Sequence, residues 1–204
     1  MSELHVWDLD GTIRQGSLLA EAVLHGGEEG FIDLSRFQNP AKPTYGEVDY
    51  FVEAITQRSR RDFRVLTDRL SDEARDQAYP WALDRLEQQA KSEGNIVVLS
   101  HSPDFLVRAF CRGLEIKHAR GSFFHTSDLV FSGRAIMLDK MRALKRSMNR
   151  LNHSQLDFAA GDSDHDLPIL SVAEHAVIVN PDPRLSELAQ THDWEIIRTE
   201  SETS

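Results

Sequence analysis

Four short apolar runs in the sequence predict the buried strands of a parallel β-sheet. Each run is apolar or rich in β-branched residues and ends in polar residues or glycine, as expected for strands that are covered on both faces. Stretches with helical periodicity separate the runs, and this alternation is typical of an α/β fold. The runs are residues 4–9, 96–100, 157–161 and 176–180, with a weaker fifth strand near 117–120 and a hairpin over 123–131.

Two helices are predicted between the later strands. Ser102 can cap a helix that has Pro103 in its first turn and Gly113 just past its end. A second helix carries a methionine-rich apolar stripe, as expected for a helix with one buried face. This stripe consists of Met137, Met141, Leu144, Met148 and Leu151.

The stretch from residue 16 to residue 94 contains helical patterns and no convincing strand. One pattern places apolar residues at i, i+3, i+4 and i+7, starting at Val48. Ser59 precedes a second helical pattern, and Pro80 opens a third. Loops are expected at Gly26-Gly27 and over residues 39–43. We therefore predict a helical cap over residues 16–94, inserted into an α/β core domain made of residues 1–15 and 95–204.

Composition and charge narrow the class of function. Of the 204 residues, 40% are hydrophobic and 27% are charged, as in ordinary globular proteins. The net charge of -10 disfavours nonspecific binding to nucleic acid or to an anionic membrane, so neither is an expected partner. No apolar run approaches the length of a membrane span, and the N-terminal residues do not resemble a signal peptide. We expect a cytoplasmic protein, and the sequence leaves its oligomeric state open.

Polar residues follow the predicted strands at the edge where an open α/β sheet binds ligands. Asp8 and Asp10 end the first run, and their spacing on an extended strand points both side chains the same way. Gly11 allows the chain to turn away sharply after them. Ser100 ends the second run, and an acidic cluster at residues 162–166 follows the run at 157–161. The sequence therefore predicts a polar site that several segments build together.

Carboxylates that converge at one edge repel each other unless a cation joins them. A hard divalent ion with oxygen ligands satisfies this need, and Mg²⁺ is the usual choice beside a phosphate. Lys140 supplies further positive charge, while the Ser100 hydroxyl and the N–H groups of the following helix can bind phosphate oxygens. A calcium loop over residues 162–173 is excluded, because Leu167 and Ala173 stand where an EF-hand requires glycine and glutamate.

Four segments of the sequence resemble, in order, the four motifs of the haloacid dehalogenase superfamily. They are Asp8-x-Asp10-Gly11-Thr12, Ser100, Lys140 and Gly161-Asp162-x-x-x-Asp166. The flanks resemble the phosphoserine-phosphatase-like branch, subfamily IB, at Tyr79-Pro80, Ser100-His101-Ser102-Pro103 and residues 180–185 followed by Trp194. That branch carries a helical cap between its first two motifs. The resemblance implies a Rossmann-like parallel sheet core flanked by helices, with a helical cap inserted between strands one and two.

The resemblance also implies an activity. It predicts a Mg²⁺-dependent phosphatase that hydrolyses a small phosphorylated metabolite through an aspartyl-phosphate intermediate. Asp8 would be the nucleophile and Asp10 the general acid and base. Mg²⁺ would be held by Asp8, by Asp10 through its backbone carbonyl, and by Asp162.

Further roles follow from the same resemblance. Ser100, His101 and Lys140 would bind the phosphate group, and Ser100 and Lys140 would also stabilise charge in the transition state. Asp166 would orient a water molecule or Lys140, and Asp166 and Thr12 would both lie behind the residues that contact the metal and the phosphate. Lys145, one helical turn further along, is the alternative to Lys140.

Departures from the branch leave the substrate open. Its phosphoserine phosphatases carry a substrate-binding glutamate at the position that Ser17 occupies here, so phosphoserine itself is not expected. The alternatives to hydrolysis are phosphoryl transfer to another acceptor, or a catalytically idle binding or regulatory protein on this fold. Candidates for substrate contact from the cap are Arg14, Phe37, Tyr45 and Tyr50.

Overall fold

Seven strands form one sheet in the computed structural model, which describes residues 2–199. Residues 1 and 200–204 of the predicted core domain lie outside the described part. The strands are β1 (Leu4–Trp7), β2 (Asn95–Pro103), β3 (His118–Ser127), β4 (Val130–Ile136), β5 (Leu156–Gly161), β6 (Ala173–Val179) and β7 (Glu195–Ile197). Their order across the sheet is β4-β3-β2-β1-β5-β6-β7. Neighbours are parallel except for β3 and β4, which pair as an antiparallel hairpin.

The helices alternate with the strands after β2 and occupy the long stretch before it. They are α1 (Leu18–Glu28), α2 (Val48–Ile55), α3 (Arg64–Asp72), α4 (Ala74–Gln77), α5 (Pro80–Lys91), α6 (Asp104–Gly113), α7 (Lys140–Leu151), α8 (Leu167–Leu170) and α9 (Pro183–Thr191). Short 3-10 turns cover Leu34–Arg36, Tyr45–Glu47 and Arg60–Phe63. No helix within residues 2–199 has the length and apolar character needed to cross a membrane.

The predicted fold class is confirmed. All four apolar runs are strands of the sheet, and the weaker fifth strand and the hairpin are present as β3 and β4. The first run ends two residues earlier than predicted, at Trp7, because the chain turns after Asp8. The fourth run begins earlier, at Ala173. The short edge strand β7 was not predicted, since its three half-buried residues carry no strong apolar pattern.

Alternate residues of β1 enter two separate apolar clusters, one on each face of the sheet. Leu4 and Val6 pack into the cluster on the α7 and α9 side, and Trp7 packs into the cluster on the α5 and α6 side. The Trp7 indole also donates a buried 2.9 Å hydrogen bond to Gln89 of α5. Burying these side chains on both faces fixes the end of β1, and therefore the backbone of Asp8 that follows it.

Two local predictions were wrong. Ser102 is not a helix cap: it belongs to β2, and Pro103 is the cap residue of α6. Gly26 and Gly27 lie inside α1 rather than in a loop. A Cβ atom on Gly26 would come within 2.4 Å of Ile32, so the glycines allow the chain after α1 to pack closely against the helix. That close approach outweighs the low helix propensity of glycine.

The methionine-rich helix begins later than its stripe suggested. Asp139 caps it by accepting a hydrogen bond from the backbone N–H of Arg142, so that Lys140 is the first helical residue. Met137 therefore precedes the helix, although it packs against the core. The cap fixes Lys140 at the end of α7 that faces the carboxyl edge of the sheet.

The stretch between β1 and β2 consists of helices α1 to α5 and three 3-10 turns in the described residues. Its aromatic side chains pack directly on the α/β region, with the ring of Phe63 5.3 Å from that of Phe105 and the ring of Phe51 5.8 Å from that of Phe124. The helical content agrees with the predicted insertion. The division of the chain into a core domain and a cap domain at residues 16–94 stays a prediction.

Candidate active site

The carboxyl ends of β1, β2 and β5 surround a cavity of about 350 Å³. Asp8 follows β1 directly, and its backbone N–H donates to the carbonyl of Ala160 in β5 at 2.9 Å. The sheet side of the cavity is lined by Asp8, Asp10, Ser100, His101, Ser102, Lys140, Asp162, Ser163 and His165. The remaining lining residues are Ser17, Leu19, Pro43, Thr44, Val48 and Met137.

A buried ion-pair network links Lys140 to two carboxylates. Its ammonium group lies 2.5 Å from Oδ1 of Asp8 and 2.5 Å from Oδ1 of Asp166, and all three side chains are at most 7% exposed. Burial by itself would lower the pKa of Lys140, but Asp8 and Asp166 outweigh it and raise that pKa. Lys140 is therefore a permanent cation at neutral pH. Lys145, the alternative from sequence, is exposed.

Three carboxylates are close enough to share one cation. Asp8, Asp162 and Asp166 each offer an oxygen atom, and these atoms lie within 4.8 Å of one another. Asp166 already accepts hydrogen bonds from Lys140, from the Ser163 hydroxyl at 2.9 Å, and from the backbone N–H groups of Asp162 and Ser163. With both of its oxygens engaged, Asp166 fits a positioning role better than that of a ligand.

Burial and mutual repulsion perturb the acidic groups. Burial is the main cause that raises the pKa of Asp8 well above its usual value, and Asp166 and Asp162 add to the shift against the opposing effect of Lys140. Burial, followed by the charge of Asp166, raises the pKa of Asp162 to about 7. A divalent cation between these groups would relieve the repulsion, so the donor set fits a hard metal ion.

Both oxygens of the Asp10 carboxylate are held by hydrogen bonds. Oδ1 accepts from the backbone N–H of Leu18, the first residue of α1, at 2.9 Å. Oδ2 accepts from the Ser102 hydroxyl at 2.5 Å and from the Ser100 hydroxyl at 3.2 Å. The insertion and the end of β2 therefore fix the orientation of Asp10 together.

Ser102 is a site residue that sequence reasoning missed. The signal for it is its spacing from Ser100, because residues two apart on a strand point to the same side. In the structure β2 extends through Pro103, and the Ser102 side chain faces Asp10. The backbone N–H of Ser102 also donates to the Ser100 hydroxyl at 3.0 Å, which ties the two serines together.

Gly11 leaves room for the side chain of Asp162 to lie beside the first motif. It adopts a φ of +82°, and a Cβ atom at this position would lie 2.1 Å from Oδ2 of Asp162. Only glycine satisfies both the backbone angle and the close approach. The neighbouring Thr12 is fully buried, and its hydroxyl makes a long 3.4 Å hydrogen bond to Oδ2 of Asp8.

His101 lines the cavity as a neutral imidazole. Its Nε2 atom lies 3.1 Å from the backbone carbonyl of Leu138, and its ring is 5.0 Å from that of His165. Burial, followed by the positive charge of Lys140, lowers the pKa of His101 to about 4. A carbonyl partner requires the proton on Nε2. The side chain is thus uncharged at neutral pH and fixed at the cavity wall.

Three of the four residues proposed for the cap side of the site, Arg14, Phe37 and Tyr50, are not among the residues that line the cavity. Arg14 is buried and ion-paired with Glu21, Phe37 is buried, and Tyr50 is exposed elsewhere on α2. The side chain of Tyr45 lies outside the described part of the structure. Residue type does not indicate which side chains reach the cavity, because the path of the chain through α1 and α2 decides which of them face the sheet.

The sequence and the fold of the chain are similar to those of known proteins. The chain is 32% identical to phosphoserine phosphatase SerB1 of Mycobacterium tuberculosis strain H37Rv over 106 aligned residues. The aligned segment covers 48% of this chain and 34% of that protein. A protein of unknown function from Bordetella pertussis Tohama I matches with a TM-score of 0.78 at 15% identity, over 97% of this chain and 98% of that one. A phosphoserine phosphatase in apo form matches with a TM-score of 0.71 at 15% identity, over 97% of this chain and 94% of that one.

The family follows from the sequence match. The model of the haloacid dehalogenase-like hydrolases covers residues 5–171, which include all four predicted motifs. The chain therefore belongs to the haloacid dehalogenase-like hydrolase family. It spans only about a third (34%) of the length of the first curated relatives that it matches.

Proposed function

We propose that this protein is a Mg²⁺-dependent phosphatase that acts through an aspartyl-phosphate on Asp8. One observation carries the proposal: Asp8 and Lys140 form a buried 2.5 Å ion pair within a cluster of carboxylates that could share a cation. A nucleophilic carboxylate beside a fixed cation is what phosphoryl transfer requires, since the reaction depends on positioning and charge neutralisation. Family membership and the resemblance to phosphoserine phosphatase SerB1 support the same reaction class.

Each residue of the site has a separate role in the proposed reaction. Asp8 attacks phosphorus, and Asp10, held in place by Leu18 and Ser102, gives a proton to the leaving oxygen and later takes one from water. Lys140 offsets negative charge that builds up on the phosphoryl oxygens. Ser100 turns its hydroxyl from Asp10 to the phosphate when substrate binds, and His101 borders the same space.

Mg²⁺ fits the oxygen donors of this site. Asp8, Asp162 and the backbone carbonyl of Asp10 would hold it, with Asp166 orienting Lys140 and the backbone of the 162–163 segment. When bound, the ion would neutralise the carboxylates and polarise the phosphoryl group. The raised pKa of Asp162 supports this assignment, because the side chain is held where a negative charge lacks sufficient compensation.

The substrate that we propose is a small phosphate monoester whose alcohol part carries no charge. Apart from the residues at the strand ends, the cavity is lined by Ser17, Leu19, Pro43, Thr44, Val48 and Met137, which together form an uncharged surface. Phosphoserine would bring an ammonium and a carboxylate group to this surface, and burying them without partners is costly. The volume of about 350 Å³ also favours a small molecule.

The decisive experiment compares Asp8→Asn with Asp164→Asn in a phosphate-release assay. Asp164 is exposed and paired with Arg184, so its variant is a matched change of charge in the same part of the sheet edge. We expect no turnover of p-nitrophenyl phosphate by Asp8→Asn, near-normal turnover by Asp164→Asn, and loss of activity when Mg²⁺ is removed. An acid-quenched wild-type reaction should yield a phosphorylated peptide that contains Asp8. Full activity of Asp8→Asn would contradict the proposal.

Two alternatives are separated by the same assay. Transfer of the phosphoryl group to added alcohols, at a rate above that of phosphate release, would identify a phosphotransferase. Absence of turnover with p-nitrophenyl phosphate and with a panel of phosphorylated metabolites, in protein that binds Mg²⁺, would identify an idle binding protein on this fold.

A further inference from the structure

A basic groove lies on the outer surface between α6, β3 and α7, away from the cavity described above. Its volume is about 780 Å³, and it shares no lining residue with the active-site cavity. Six of its lining residues have basic side chains, in a chain whose net charge is -10. They are Arg108, Lys117, His118, Arg120, Arg146 and Arg150, and they define the basic groove.

Most of this positive charge is not compensated by protein carboxylates. Arg108 pairs with Asp104 at 2.6 Å. Across residues 2–199, the structure gives no ion pair for the other four lysine and arginine side chains of the groove. The acidic residues that dominate the overall charge therefore lie elsewhere, and the groove presents a concentrated positive field.

The electrostatics inside the groove show that its cations repel one another. Burial, followed by the charges of Arg150, Arg120 and Lys117, lowers the pKa of the half-buried His118. Burial, followed by the charge of Arg108, likewise lowers the pKa of Arg120. A bound anion would remove this repulsion.

The spacing of two arginine residues on α7 also indicates an anion site. Arg146 and Arg150 are four residues apart, so they lie on one face of the helix and destabilise it through like-charge repulsion. An anionic ligand between α7 and β3 would turn the repulsion into attraction.

The shape and the floor of the groove indicate the kind of anion. Apolar side chains of Val97, Ala119, Leu138, Ala143 and Leu151 line it alongside the basic ones. Its volume falls within the range of small-molecule sites. A long nucleic acid would extend past the groove onto a protein of strongly negative charge, which opposes its binding.

We propose that the basic groove binds a small polyanion with an apolar body, of the nucleoside polyphosphate type. The arginine and lysine side chains pair with phosphate oxygens, and the apolar floor receives the base or another flat group. This proposal does not depend on the proposed phosphatase activity, and the test below therefore bears on the groove alone and not on the role of Asp8.

The test uses calorimetry to measure how tightly adenosine triphosphate binds to the full chain. EDTA is present in the buffer, so that Mg²⁺-dependent binding at the acidic cavity does not occur. The groove variant is Arg146→Gln with Arg150→Gln. The matched control is Arg142→Gln with Lys145→Gln, which removes the same charge from the same helix at exposed positions outside the groove. Glutamine preserves helix propensity in both proteins.

We expect saturable binding to wild type, about tenfold weaker binding to the groove variant, and at most a twofold change in the control. Inorganic tripolyphosphate should bind more weakly than adenosine triphosphate, and adenosine should not bind. On saturation, the imidazole NMR signals of His118 should shift while those of His192, at the end of α9, stay in place.

Three results would overturn the proposal. They are the absence of saturable binding to wild type, an equal loss of affinity in the groove variant and the control, and tighter binding of single-stranded RNA than of adenosine triphosphate. The second would mean that only the overall charge matters, and the third would identify a nucleic-acid surface instead.

Discussion

The hydroxyl group of Ser102 donates a 2.5 Å hydrogen bond to Oδ2 of Asp10. This contact joins the end of β2 to the proposed general acid, and it is the shortest of the three hydrogen bonds that Asp10 accepts. A carboxylate that must first donate and then accept a proton works best when its orientation is fixed before substrate arrives. Ser102 thus positions Asp10 without being one of the reacting groups.

Ser102→Ala should lower kcat/KM for p-nitrophenyl phosphate by about five- to tenfold, because a typical hydrogen bond contributes roughly 1 kcal/mol. The pH–rate profile should also shift, since the environment of Asp10 changes; a purely structural role would leave the profile in place. Ser132→Ala is the control, because Ser132 is exposed and its hydroxyl donates to the backbone carbonyl of His125, away from Asp10. Equal kinetics in the two variants would show that Ser102 does not position Asp10.

Lys140→Met should abolish measurable turnover and lower the free energy of unfolding by about 3 kcal/mol or more in metal-free buffer. The reason is that the change leaves Asp8 and Asp166 buried without their cation. Lys145→Met, at an exposed position on the same helix, should change neither quantity measurably. Urea unfolding and phosphate release check both effects. The opposite pattern would transfer the role to Lys145.

Gly11→Ala should reduce Mg²⁺ affinity at least tenfold, because the added Cβ would meet Oδ2 of Asp162 at 2.1 Å and displace that carboxylate. Gly30→Ala is the matched control: Gly30 has a similar φ of +75°, and a Cβ there meets nothing within 4 Å. Both variants should lose about 1 kcal/mol of stability from the left-handed backbone. Calorimetric titration with Mg²⁺ measures the affinity of each variant, and only Gly11→Ala should bind the ion more weakly than wild type. Unchanged affinity in Gly11→Ala would argue against Asp162 as a ligand.

Asp162→Asn should stabilise the metal-free protein at pH 8 by about 1 to 3 kcal/mol and leave it nearly unchanged at pH 4. The pKa of Asp162 is raised from its usual 3.8 to about 7 by burial and by Asp166, so between these values the folded state binds a proton that the unfolded state lacks. The stabilising contribution of the protonated group is complete below pH 4 and is lost as the pH rises through 7.

Urea unfolding of both proteins in EDTA at pH 4 and pH 8 measures this difference. With excess Mg²⁺ at pH 8 the order should reverse, because the wild type gains binding free energy that the variant lacks. A variant less stable than wild type at pH 8 in EDTA would contradict the raised pKa. Stabilisation of both proteins to the same extent by Mg²⁺ would contradict the proposed metal site.

Much of the fold was predictable because the information is local. Apolar runs such as residues 157–161 are strands wherever both faces are covered, and the helices starting at Pro80 and near Val48 follow from caps and periodicity. The motif aspartates were predictable for a related reason. Residues that directly follow parallel strands meet at one edge of the sheet, so Asp8 and Asp162 come together once the strands are identified.

The sequence alone therefore determined the α/β class, the family and the acidic centre, because strand periodicity and motif spacing are properties of neighbouring residues. Tertiary structure decided that Lys140 rather than Lys145 reaches Asp8, and that Ser102 faces Asp10. It also decided which side chains line the cavity and that the basic residues of three elements form one groove. These features depend on contacts between segments far apart in the chain, and no local pattern encodes them.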